Sequence, residues 1–157
     1  MNLKKILFSL LTLSLSLVFS SCTQPDGYIG KWFGSWYLEE MLINGEVDEE
    51  YAAYQKEGRF QVMVSFQGNI FNMAYIGGQA IYGTWSYAGE ILTLVASYNA
   101  GSASDSPYFD PYPKVLHFPS TIEQMEITVS QLYSKTMQWQ IIDPEGRLVT
   151  YNFRKYP

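Results

Sequence analysis

The chain has 157 residues, with 15 Asp and Glu against 10 Lys and Arg, for a formal net charge of −5. That length fits one domain of ordinary size, and the acidic balance without any basic stripe argues against nucleic-acid binding. A single cysteine excludes an intrachain disulfide, so the fold must stand on its core.

The chain opens on a short basic region, Met1-Asn2-Leu3-Lys4-Lys5. Ile6 to Phe19 follows as an uncharged apolar and Ser/Thr run, and Ser20-Ser21-Cys22 is a small-residue cleavage site ending on cysteine. This is the pattern of a secretory signal, with an apolar stretch short for a transmembrane helix. Phe19-Ser20-Ser21-Cys22 resembles the lipobox of bacterial lipoproteins, with Phe19 where an aliphatic residue is usual. The resemblance implies a signal peptide over 1–21, lipid attachment at Cys22 and a tether over 22–28 carrying Pro25 and Gly27. Acylation also removes a thiol that would be a liability in an oxidising envelope. Loss of Lys4 and Lys5 leaves 8 basic residues against 15 acidic ones, a net charge of −7. Acyl chains, at about 0.8 kcal/mol per buried methylene, must then hold the protein at the membrane. Thr23 follows the cysteine in place of Asp, which by resemblance to enteric lipoproteins implies the outer membrane of a Gram-negative cell envelope.

Residues 29–157 read as one domain. Gly30-Lys31-Trp32 reads as the opening of a first strand that runs to Ile43, its bulky indole a natural plug for the closed end of a small barrel. Asn44-Gly45 is a turn pair. A helix of about two turns follows between Glu46 and Gly58, capped by Asp48, with Glu49 and Glu50 suited to the positive end of its dipole. In Arg59 to Phe66 the residues Phe60, Val62, Val64 and Phe66 alternate onto one face. Hairpin signals at Gln67-Gly68-Asn69, Gly77-Gly78 and Ala88-Gly89-Glu90 separate strands over Ile70–Ile76, Gln79–Tyr87 and Ile91–Tyr98. Gly83, on the face shared by Ile81, Trp85 and Tyr87, marks a bend or a close backbone approach. Asn99 to Pro113 is a long loop of the kind that carries function or moves. Strands over Val115–Phe118, Glu126–Tyr133, Met137–Ile142 and Arg147–Arg154 complete the chain, the last two joined by a turn at Asp143-Pro144-Glu145-Gly146. Eight or nine short antiparallel strands and one helix predict an all-β barrel or sandwich.

Ile29-Gly30-Lys31-Trp32, Tyr82-Gly83-Thr84-Trp85-Ser86-Tyr87 ahead of Ile91-Leu92-Thr93-Leu94, Met137-Gln138-Trp139 and the closing Tyr151-Asn152-Phe153-Arg154-Lys155 together look like a lipocalin-like (calycin-type) bacterial lipoprotein. The resemblance covers most of the chain after Cys22. It implies an antiparallel up-and-down β-barrel of about eight strands with one short helix after the first strand. It also implies a barrel-base motif of Gly30, Trp32 and Arg154, the guanidinium packing across the indole. Such a pair is attractive and shields the ring. The missing disulfides and the single short helix point to the compact bacterial branch.

The sequence offers little for catalysis. His117 is the only histidine and reads as a strand residue opposite Leu116, which leaves no catalytic triad and no multi-histidine zinc site. Acid pairs such as Glu123 and Glu126, Asp105 and Asp110, or Asp143 and Glu145 sit in turns and loops, where the separation a glycosidase needs is seldom met. No catalytic residue, metal or cofactor is expected. Aromatics are the abundant resource: 13 Tyr, 9 Phe and 4 Trp, enough for both a barrel core and an amphipathic wall. Tyr98, Tyr108, Phe109 and Tyr112 around the long loop, with Tyr51 and Tyr54 on the helix, are the ligand-binding candidates. The expected function is non-catalytic binding of a small apolar or amphipathic ligand, or a glycan, at the barrel mouth. The alternative is a protein–protein module, a protease inhibitor or surface-complex subunit, that inserts the Asn99–Pro113 loop into a protein partner.

Overall fold

The computed structural model describes residues 28–58, 61–75, 80–97, 114–119 and 124–157. Tyr28–Lys31 is a 3-10 turn, and the first strand, β1, covers Gly34–Ile43. Trp32 therefore precedes the strand that the sequence pattern had it open. Asn44 and Gly45 both take positive φ (51° and 88°), the geometry of a two-residue hairpin turn, and lead into the short β2 (Glu46–Val47). The helix α1 spans Glu49–Lys56, with Asp48 Oδ1 accepting from the N–H groups of Glu50 and Tyr51 at 2.9 and 3.1 Å. That satisfies two of the donors a helix start leaves unpaired.

Seven further strands follow: β3 (Val62–Gln67), β4 (Ile70–Tyr75), β5 (Ile81–Ala88), β6 (Ile91–Ser97), β7 (Gln124–Leu132), β8 (Thr136–Ile142) and β9 (Leu148–Lys155). Val115 to Phe118 is not a strand as its β-branched and aromatic residues predict. Lys114–Leu116 is a 3-10 turn, and His117 leaves it at a φ of 56°. From β3 to β9 each strand pairs antiparallel with the next in sequence, and β1 pairs with both β3 and β9. The sheet thus closes into an up-and-down barrel of eight strands, with β2 as a short addition on β1.

Inward and outward residues alternate as the pleat requires, so Val62, Val64 and Phe66 of β3 face Met137, Trp139 and Ile141 of β8 across one core. The turns after β3, β5 and β7 lie at one end, the base; the β1–β2 turn, α1 and the β8–β9 turn lie at the other, the mouth. Bulky rings fill the base. Trp32, fully buried, has its ring 5.1 Å from Phe66, 5.3 Å from Trp85 and 4.9 Å from Tyr87, and Trp139 lies 4.6 Å from Phe153. At Gly83 a Cβ would lie 1.9 Å from the carbonyl oxygen of Val95, so only glycine lets β5 and β6 approach this closely. Among the described residues no helix is long and apolar enough to cross a membrane.

Candidate functional site

Two features at and beside the mouth gather polar side chains. The first is a network around His117. Its Nε2 lies 2.9 Å from Asp48 Oδ2 and its Nδ1 3.0 Å from Arg147 Nη2. A guanidinium only donates, so Nδ1 accepts and Nε2 carries the hydrogen given to Asp48. Arg147 is fixed in turn by Asp143, whose Oδ2 accepts from Nε and Nη2 at 2.7 Å while Oδ1 accepts from the N–H groups of Glu145 and Arg147. Burial opposes the charge on Asp143, but those backbone N–H groups and the guanidinium outweigh it and hold the carboxyl below its ordinary range. Below the network, Tyr151 donates its hydroxyl to the Leu116 carbonyl and its ring lies 5.0 Å from Phe118. Burial, then the charges of Asp143 and Asp48, push the Tyr151 phenol well up.

The arrangement joins three segments: the start of α1, residues 114–119 and the β8–β9 turn. It brings a histidine beside two acids, as a hydrolase would, yet every acceptor and donor on the ring is used within the protein. His117 therefore has no free nitrogen with which to take a substrate's proton. Among the described residues no group of three or more His, Cys, Asp or Glu is placed to hold a metal ion.

The second feature is a half-open cleft of about 500 Å³ between α1 and strands β7, β8, β9 and β1. Tyr51, Ala52 and Gln55 of α1 form one side. Along the other runs an outward row in which Gln131 and Gln138 pair across β7 and β8, Gln138 and Asn152 across β8 and β9, and Asn152 and Glu40 across β9 and β1. A β-bulge between Leu38 and Glu40 turns both Glu39 and Glu40 outward, onto the cleft. The row is hydrogen-bonded in one direction. Ser130 Oγ donates to Gln138 Oε1 (2.6 Å), Gln138 Nε2 to Asn152 Oδ1 (2.8 Å) and Asn152 Nδ2 to Glu40 Oε2 (2.9 Å).

The residues singled out from sequence fall in different places. Gly30 lies in the 3-10 turn, and Trp32 at the base of the core. Arg154 does not pack across Trp32. Strand alternation turns Phe153 inward and Arg154 outward, where it clasps Glu39 at 2.9–3.1 Å. Among the described residues the cation over an indole is instead Lys155, its Nζ 5.1 Å from the Trp36 ring. Tyr51 lines the cleft but is buried, with its hydroxyl given to the Leu38 carbonyl at 3.1 Å. Tyr54, on the same helix, is half-buried and outside the cleft lining. Cys22, Tyr98, Tyr108, Phe109 and Tyr112 lie outside the described residues. Sequence reading missed Asp48 with His117, which are 69 positions apart, and the Gln138–Asn152–Glu40 row, which exists only once three strands take register.

No protein-family model matches the chain, and no curated protein does either. Solved structures do. An uncharacterized protein from Bacteroides eggerthii superposes with a TM-score of 0.52 at 20% identity, covering 80% of this chain and 99% of its own. A lipocalin-like protein from Bacteroides uniformis gives 0.50 at 18% identity with the same coverage. At that identity the likeness concerns the fold. With the closed eight-strand barrel it makes this a lipocalin-like β-barrel.

Proposed function

We propose that the chain is a lipid-anchored, non-catalytic binding domain that takes a small polar or amphipathic molecule, glycans included, in the cleft beside α1. The observation that carries this reading is the contrast between that cleft and the core. The cleft's volume, about 500 Å³, falls in the ~300–1,000 Å³ range of small-molecule sites. The barrel beside it is occupied by its own side chains, with Trp32, Trp36, Trp139, Phe71 and Tyr151 all fully buried. A ligand thus belongs outside the barrel wall rather than deep within it. Amides and carboxylates along the row suit hydroxyl and amine groups, and Val47 and Ala52 offer apolar contact. The non-catalytic part of the reading is supported by the fully bonded His117. The anchor is supported by the signal-like N-terminus ending on Cys22, and the outer membrane by Thr23.

Native mass spectrometry of the full chain purified from its own membranes tests this. A bound small molecule that is lost in Ala52→Trp, which fills the cleft, is the expected result. A co-purifying protein with no small molecule would transfer the function to an interaction module, and an empty chain would overturn the reading.

A further inference from the structure

The cleft's charge pattern narrows its ligand. Resting on the reading of that cleft as the binding site, we propose that it selects a molecule carrying a protonated amine beside hydroxyl groups, as an amino sugar with a free amine does. Among the described residues three carboxylates line the cleft, and no Lys, Arg or His does. Two of the three are answered by the protein: Glu39 by Arg154, and Asp48 by His117 and the first N–H groups of α1. Glu40 is different. Among the described residues it has no cationic partner, and its one side-chain hydrogen bond comes from the neutral amide of Asn152.

The direction of the row makes Glu40 its terminus. Each donor in the series from Ser130 through Gln138 to Asn152 points toward Glu40, so the carboxylate collects the last hydrogen bond and keeps its other lone pairs for the cleft. Only a donor satisfies them, and a charged donor satisfies them best. Gln138 and Asn152 each spend one N–H within the row and keep a second for a hydroxyl oxygen of the ligand. The geometry therefore matches an ammonium on Glu40 with neighbouring hydroxyls on Asn152 and Gln138. Anionic ligands such as uronic or phosphorylated sugars meet only like charge here, within a chain whose net charge is −5.

Isothermal titration of the full chain in detergent, with the β-1,4-linked glucosamine disaccharide and its N,N′-diacetyl form as probes, tests the assignment. The free-amine disaccharide is expected to bind at least tenfold more tightly, with the difference shrinking as salt rises. Glu40→Gln, which keeps an oxygen for Asn152 and so leaves the unfolding midpoint unchanged, is expected to erase that preference. Equal binding of the two probes, or a preference that survives Glu40→Gln, overturns the amine assignment while leaving the cleft a binding site for neutral glycans. Binding of neither probe also overturns it. The reading of the cleft itself is decided not by these probes but by the native mass spectrum of the membrane-derived chain, as set out above.

Discussion

His117 holds a backbone conformation that bulky side chains rarely adopt, and it does so because both ring nitrogens are bonded. Asp48 serves two masters, capping α1 with one oxygen and holding His117 with the other. Asp48→Ala is therefore expected to destabilise the protein by about 2 kcal/mol, of which about 1 is the cap. Asp48→Asn, which still caps, should cost less; urea unfolding of the two variants decides it. At Asp143 the folded-state carboxyl is held below its ordinary range. The unfolded chain then binds this proton first, so the contribution is complete above about pH 4 and is lost as acidification proceeds through the lower folded value. Asp143→Asn should be less stable than the parent at neutral pH, with the gap closing below about pH 4. A gap that does not narrow as the pH falls below about 4 would contradict this.

Elements show which parts of this molecule can be read from residue order. The alternation in β3 and the turn chemistry of Asn44-Gly45 and Asp143 to Gly146 are local, and the structure follows them. So is the Asp48 cap. Strand identity failed where local composition competed with tertiary need. Val115 to Phe118 has strand-like residues, yet burying Leu116 and stacking Phe118 on Tyr151 at the mouth demands a tight turn. The same holds for Trp32, which reaches the core from the residues ahead of β1 rather than from the strand. The cleft was illegible for a different reason. Its row depends on the register among β7, β8, β9 and β1 and on a bulge at Glu39, neither of which leaves a periodic signal. Gly83, by contrast, announced itself. Gly83→Ala sets a methyl against the Val95 carbonyl with no flexible side chain to give way, so the β5–β6 ladder must open. A loss of about 3 kcal/mol is expected, at the upper end of overpacking costs, and thermal unfolding measures it. A near-neutral result would mean that β6 does not approach β5 as closely as described.

For the whole molecule, closure of the sheet removes the free edges through which β-proteins aggregate, and the aromatic core gives stability without disulfides. What remains for partners is the outer surface and, on the reading proposed above, a membrane tether at Cys22. Cys22→Ser is expected to move the mature protein from the membrane fraction to the soluble fraction without changing its thermal midpoint, because the barrel's bonds all lie beyond residue 30. Retention at the membrane would contradict the anchor. The central claim is that the barrel is filled, so that binding chemistry lies on its outside. Its most direct test uses the indole N–H groups of Trp32 and Trp139, which are buried and have no hydrogen-bond partner among the described residues. Their hydrogen exchange, followed by NMR in deuterated buffer, should be as slow as that of the most protected strand amides, since only global unfolding exposes them. Exchange far faster than those amides would show that solvent enters the barrel and would contradict the account.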